Sequence, residues 1–332
     1  MQSRKRQTSM VLQIIRILLC GLVALASMSV SAENGNDYPS RPLHIIVPAN
    51  AGSGLDNGIR PLAKYMTGTA GWTTVIDNRG GGHGFIAAHA FLRAPKDGYT
   101  IFTGGSSTMA YNPIVFKHAP YDPLDDFTPV ARAMIVPDIL VVSAKSGIRS
   151  VADLVARLRA QPGRLFFASE NVNLLPAELF LQSQHLDATN VYYRSSPAAM
   201  IDLIGGSIEF MFVDSIAALS MIRAGYLTPL AVTSGKRLHA LPDVPTLTET
   251  GVANLKFFEW SGLFLPKNAP PEQVDRLHKV VDAYFHTPAA ARYLDHVGGQ
   301  YEDISPADFR QWIANDIARN RVTYQSFTAS EE

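Results

Sequence analysis

Short β-rich runs alternate with longer amphipathic stretches from residue 38 to about residue 233, and this pattern limits the fold more than any other feature of the chain. Leu43 to Val47 reads as a strand, Leu55 to Thr67 as a helix, Thr73 to Asp77 as a strand, Phe85 to Leu92 as a helix and Tyr99 to Thr103 as a strand. Ile139 to Val142 begins a second series. It continues through a helix capped by Ser150 and ended at Pro162-Gly163, then through strands at Leu165 to Ala168, Val191 to Tyr193, Ile208 to Phe212 and Thr228 to Thr233. Helices fill the gaps, at Ala177 to Ser183, Pro197 to Ile204 and Ile216 to Ala224. Strands separated by helical crossovers pair in parallel, so the chain should form α/β sheets.

Past Phe257 to Leu265 come three helical stretches, Gln273 to Phe285, Ala289 to Val297 and Pro306 to Phe327, with almost no strand to accompany them. They cannot build a sheet of their own and should pack back on the first one. The expected organisation is two lobes. Lobe 1 is discontinuous, 38–136 plus 258–332, and lobe 2 is 137–257, with the chain crossing near residues 134–141 and 254–264.

The first 32 residues read as an export signal. Arg4, Lys5, Arg6 and Arg16 precede an apolar run from Ile17 to Ala26, and small residues follow at Val30-Ser31-Ala32, where cleavage is expected. The run is about half the roughly 20 residues that a spanning helix needs. The only cysteine, Cys20, lies inside this segment, and it lacks the small residues that precede a lipidated cysteine. The segment holds four of the 29 basic residues and none of the 29 acidic ones, leaving 25 against 29 and a mildly acidic mature chain. Such a chain has no clustered basic face for nucleic acid and no second run long enough for a membrane. The expected location is the periplasm.

Chemistry is expected at the strand-to-helix loops. Ala49, Asn50, Gly52, Ser53, Gly54, Leu55 and Asp56 join a buried strand to a helix, with glycines that let the backbone approach a ligand and helix-start amides that favour an anion. Ser169, Asn171, Asn173 and Leu174 form a second loop of this kind. Ligands of open α/β sheets bind at the carboxyl ends of strands, where both loops lie. Ser106, Ser107 and Thr108 either offer hydroxyls or cap the next segment, and Asp214 either contacts ligand or caps a helix. The run Gly80-Gly81-Gly82-His83-Gly84 suits a cleft-lining loop. A hydrolase using His83 or a hydroxyl of Ser106 or Ser107 is the competing reading, but no nucleophile elbow Gly-x-Ser-x-Gly occurs. The nine histidines are scattered without metal-ligand spacing, so neither a metal nor a cofactor is expected.

Several ordered stretches resemble one family, the periplasmic substrate receptors of tripartite tricarboxylate transporters, often called Bug proteins. They are Tyr38-Pro-Ser-Arg-Pro42 with Ile45-Ile-Val-Pro48; Asp77-Asn78-Arg79; Pro95-Lys-Asp-Gly-Tyr-Thr100; Tyr121-Asp-Pro123; Asp202-Leu-Ile-Gly-Gly206; Leu230-Ala-Val-Thr-Ser234; and Leu241-Pro-Asp-Val-Pro-Thr246. The resemblance implies a two-lobed type II periplasmic-binding-protein fold with two crossover strands and a ligand cleft between the lobes. It also implies a non-enzymatic, monomeric receptor that passes a small organic anion to inner-membrane transporter subunits, a ligand-sensing role for a signalling partner being the alternative. By position it adds Tyr193, Ser196 and Asp214 to the cleft. The chain departs from the family at Ser53 and Leu55, where glycine and a hydroxyl are usual, and at Leu174 and Leu175 in a shortened second loop. Fewer hydroxyl donors and more apolar surface favour a monocarboxylate or aromatic carboxylate over a citrate-like tricarboxylate. N-terminal sequencing of exported protein is expected to begin at Glu33-Asn34; an intact Met1 would contradict cleavage after Ala32.

Overall fold

A computed structural model describes residues 38–328 apart from 117, 171, 172, 253, 254 and 256. The expected signal with its cleavage after Ala32, Cys20 and the candidate Asn171 therefore lie outside the described residues. Residues 38–40 belong to a separate N-terminal unit, Met1–Ser40, and the fold described below is that of Arg41–Glu332.

The first series forms where the periodicity put it: β1 (Leu43–Val47), α1 (Gly54–Gly68), β2 (Thr74–Asn78), α2 (Phe85–Arg93) and β3 (Thr100–Gly105). A π-helical turn, Ser106–Tyr111, then runs into the short α3 (Asn112–Val115). Next comes β4 (Phe127–Ser143), a 17-residue strand of which the apolar pattern revealed only the second half. The second series is α4 (Val151–Ala160), β5 (Phe166–Ser169), α5 (Leu174–Ser183), β6 (Thr189–Tyr192), α6 (Ser196–Gly205), β7 (Phe210–Asp214), α7 (Ser215–Arg223) and β8 (Leu227–Val232). The chain closes with β9 (Phe258–Pro266), α8 (Pro271–Phe285), α9 (Pro288–Val297) and α10 (Pro306–Thr328). Among the described residues no helix is long and apolar enough to cross a membrane.

The strands run in the order β2-β1-β3-β9-β4-β7-β5-β6, with β8 also paired to β4. Pairing is parallel within β1 to β3 and within β5 to β7, as helical crossovers require, and antiparallel wherever β4 or β9 takes part. The central strand β4 changes partners partway along. Phe127 to Pro137 face β9, whereas from Asp138 onward β7 and β8 flank it, with Asp138 opposite Asp214 and Ile139 opposite Val232. Thr233 binds both chain passages at that point. Its Oγ accepts from the Asp138 amide at 2.9 Å, and its hydroxyl lies 2.7 Å from the Phe257 carbonyl, to which it donates.

Three apolar clusters hold these strands. One gathers Ile46, Phe91, Phe102, Phe127, Phe264 and Phe309 on the β1–β3–β9 side, where Phe91 and Phe127 stack in parallel at 5.2 Å. The other two cover opposite faces of the β5–β7 side, around Phe180, Phe210 and Phe212 and around Met200, Met211 and Val213. α10 packs on the first cluster through Phe309 and Ile313, and the Trp260 indole donates to Asp316 at 2.8 Å. α9 departs from the expectation that all three closing helices rest on the first sheet. Its Tyr293 hydroxyl donates to the Asn57 carbonyl at 3.2 Å, while Val297 packs beside Val213 and its carbonyl accepts from Ser215. The helix is short and amphipathic, and it lies where the two groups of strands meet, so it contacts both. Phe309 is fully buried, and Phe309→Ala should cost about 3–5 kcal/mol of unfolding free energy by urea titration; a loss near zero would place α10 outside the core.

Candidate functional site

The first loop is held by one carboxylate. Asp56 is 1 % exposed and accepts from the Gly52 amide at 2.8 Å, from Arg60 Nε at 2.9 Å and from Asn78 Nδ2 at 3.0 Å. Burial alone would raise its pKa, but Arg60, the Gly52 amide and Asn78 outweigh it and hold the carboxyl below the ordinary value. Its oxygens are thus occupied in shaping the loop. Ser53 caps α1, accepting from the Asp56 amide at 3.4 Å, and the Ala49 carbonyl accepts from Asn78 at 3.2 Å. Gly52 takes φ +83, a conformation that glycine adopts without strain. Gly54 is required for another reason: a Cβ there would stand 2.2 Å from the Asp214 carboxylate. Leu55 is half-buried near Gly105.

Of the hydroxyl segment, Ser106 is buried and accepts from the Trp260 amide at 2.8 Å, and Thr108 bonds the Gly105 amide at 3.2 Å. Both fasten the π-helical turn to its neighbours, which leaves Ser107 as the partly exposed member. In the second loop Ser169 is buried with its hydroxyl unpartnered, and Asn173 donates to the Phe212 carbonyl at 3.3 Å. Leu174 and Leu175 open α5 and pack with Phe180 and Phe212 in the apolar core. They therefore add little to the ligand surface. The Tyr193 hydroxyl donates to Asp202 at 2.6 Å, and it is Tyr192 that lines the cleft. Ser196 donates to Glu170 at 2.5 Å, while Asp214 caps α7 by accepting from the Ala217 amide at 2.9 Å.

The two loops face one another across a cavity of about 170 Å³. Pro48, Ala49 and the turn Gly81 to Gly84 form one wall, and Glu170, Tyr192 and Arg194 form the other. Asn50 closes part of the gap, donating to the Arg194 carbonyl at 3.4 Å. His83 has φ +55, and its Nδ1 lies 3.1 Å from the Tyr192 hydroxyl, within an aromatic group that includes Phe85 and Phe116. Of the two hydroxyls that a hydrolase could use, Ser106 accepts from the Trp260 amide, while Ser107 is partly exposed.

The largest surprise is negative charge. Asp138, Glu170, Asp214 and Glu259 lie close enough to influence one another's ionisation, and among the described residues no lysine or arginine pairs with any of the four. Burial pushes Glu170 up to about 7 and Asp214 up to about 6. Asp138 and Glu259 are pushed well up by burial and then by neighbouring charge, Asp214 acting on Asp138 and Asp138 on Glu259. Sequence reasoning missed Asp138 and Glu259 although each is a lone acid in an apolar strand, a placement that normally demands a partner. Between the ordinary carboxylate range and about pH 7 the folded chain binds more protons than the unfolded chain, so stability should rise as pH falls. The ligand-free protein is therefore expected to show a higher Tm at pH 5.5 than at pH 8, and Glu170→Gln should reduce the difference. A lower Tm at pH 5.5 would contradict the assignment.

Known proteins share this architecture. The chain is 32% identical to a UPF0065 protein of Bordetella bronchiseptica (strain ATCC BAA-588 / NCTC 13252 / RB50) over 97% of its own length and 94% of the relative's. It is 30% identical to the protein BugT of Bordetella pertussis (strain Tohama I / ATCC BAA-589 / NCTC 13251), over 92% and 95% of the two chains. Among solved structures, R. palustris Rpa4515 with adipate superposes with a TM-score of 0.85 at 32% identity, covering 88% of this chain and 99% of that one. The periplasmic binding protein BugD superposes with a TM-score of 0.83 at 25% identity, over 88% and 99%. These likenesses give the two groups of strands their meaning as the two-lobed fold of periplasmic binding proteins. Residues 59–327 match the model of the tripartite tricarboxylate transporter family receptor, and the chain belongs to that family.

Proposed function

We propose that the chain is an extracytoplasmic receptor that binds a small organic carboxylate, a monocarboxylate or aromatic carboxylate, and delivers it to the membrane subunits of a tripartite tricarboxylate-type transporter. The observation that carries this reading is the cavity of about 170 Å³ between the Pro48–Ala49 loop and Gly81–Gly84 on one side and Tyr192 and Arg194 on the other. It is smaller than the roughly 300–1,000 Å³ of common ligand pockets, which limits the ligand to a small solute. Backbone amides of the glycine turn and the Arg194 guanidinium supply the positive side for a carboxylate, and Tyr192 supplies an aromatic wall. The adipate held by the R. palustris relative supports an organic acid as the ligand. Leu174 and Leu175 no longer argue for an apolar ligand body, since they pack in the core. A tricarboxylate is disfavoured instead by Glu170 on the cavity wall, which repels additional negative charge once it ionises above about pH 7.

In this reading the lobes are 38–136 plus 258–332 and 137–257, and they close as rigid bodies about the partner exchange of β4. Support comes from the adjacent positions of the two chain passages at Asp138 and Phe257, which Thr233 binds together. Ligand favours the closed state through contacts that only that state makes. Calorimetry at pH 7.5 should give tighter binding of benzoate or phenylacetate than of citrate, and Arg194→Gln should weaken the monocarboxylate about tenfold, roughly 1.4 kcal/mol. Citrate binding tighter than every monocarboxylate tested would overturn the proposal.

A further inference from the structure

For a receptor of anions, Glu170 stands in an unexpected place. The cavity that it lines is about 170 Å³, a span of roughly 5–6 Å, so a ligand carboxylate anywhere inside lies within the distance at which a like charge shifts ionisation. Two ionised carboxylates repel strongly in so small a space. If one of them takes a proton, the pair forms a hydrogen bond in place of the repulsion. The chain already contains such a pair. The Asp138 and Glu259 carboxyls are hydrogen-bonded to one another, and ionised carboxylates only accept, so a proton lies between them.

The surroundings of Glu170 favour the same solution. On one side the Ser196 hydroxyl donates to its Oε2 at 2.5 Å, and the Ser196 amide donates to the same carboxyl. Its other side belongs to the cavity wall, where the remaining charged or titratable groups are Tyr192 on β6, Arg194 just after it and His83 of the glycine turn. Behind the wall, Asp214 at the end of β7 raises the Glu170 pKa, and Glu170 in turn raises that of Glu259 on β9. Burial is the larger cause and pushes Glu170 up to about 7 before any ligand arrives. Protonation near neutral pH therefore costs little.

We propose that Glu170 meets the ligand in its protonated form and donates a hydrogen bond to the ligand carboxylate, so that each anion is bound together with one proton. The proposal rests on the carboxylate-receptor reading and adds the residue that sets the pH range of binding. One ligand carboxylate, one Glu170 carboxylate and one proton from solvent give a hydrogen-bonded pair with a single negative charge, which Arg194 faces across the cavity. Above the pH at which Glu170 loses its proton, the ligand must bring the proton back, and affinity falls as pH rises.

The test is isothermal calorimetry on the mature chain between pH 6.5 and pH 8.5 with benzoate, phenylacetate, butyrate and adipate, whose own carboxylates are ionised over this range. For the acid that binds most tightly, Kd should rise about tenfold or more across the range, and buffers of different ionisation enthalpy at pH 8 should reveal uptake of about one proton per ligand. Glu170→Gln keeps a donor but cannot ionise, so it should flatten the profile and abolish the uptake. Ser196→Ala removes a donor that favours the charged form, so it should move the rise in Kd to higher pH; it also serves if the Gln variant fails to fold. A pH profile and proton uptake retained in Glu170→Gln would place the proton on another group, such as His83, and overturn the proposal. Binding by the wild type that is independent of pH and takes up no proton would overturn it and leave the carboxylate receptor standing. No binding of any of the four acids at any pH overturns both.

Discussion

A single strand links both halves of this protein, and at Asp138 it exchanges one hydrogen-bonded neighbour for two others. Everything else is arranged around that exchange. Up to Pro137 the strand belongs to a sheet whose other members are β1, β2, β3 and β9; from Asp138 it belongs to one built from β5, β6, β7 and β8. The carboxyl ends of the parallel strands therefore open toward the same gap, and both strand-to-helix loops line it. Asp138 is fully enclosed, and its pKa is raised first by that enclosure and next by Asp214 on the adjacent strand.

This placement ties ionisation to the pairing of the two groups of strands. Glu170 and Asp214 come from the second sheet, Glu259 from the first and Asp138 from the junction. The four acids therefore straddle the boundary between the two groups of strands, and the ionisation of each depends on how the two sides sit together. Asn50 to the Arg194 carbonyl at 3.4 Å and His83 against Tyr192 span the cavity, and Ser215 to the Val297 carbonyl and His239 to Asp295 at 2.8 Å join the two sides elsewhere.

Much of the fold was legible in the sequence, because apolar periodicity reports directly on burial. β1 at Leu43 to Val47 and the helix capped by Ser150 came out nearly residue for residue. The first half of β4 did not, since Pro129, Arg132 and Pro137 interrupt its apolar pattern; the buried Arg132 is compensated by Glu302 at 2.7 Å, a partner far along the chain. The site was less legible. The loops were located correctly at the ends of strands, but which side chains face the ligand depends on rotations that spacing does not encode. Asp56 and Thr108, candidate contacts in the sequence, are hydrogen-bonded within their own loops. Glu170, Tyr192 and Arg194 each sit one or two positions from a residue singled out from sequence, within the uncertainty of a loop. The acid cluster was invisible because its members come together only through strand pairing, although a lone acid in each of two apolar strands was a signal that could have been weighed.

The chemical identity of the solute is the most direct test of the account. Native mass spectrometry of protein purified under mild conditions, with the co-purifying molecule released and fragmented, would read it without any prior choice of ligand panel. The expected result is a small organic acid that carries a single carboxylate. Recovery of a tricarboxylate, or of a molecule with no carboxylate, would contradict the account at its centre.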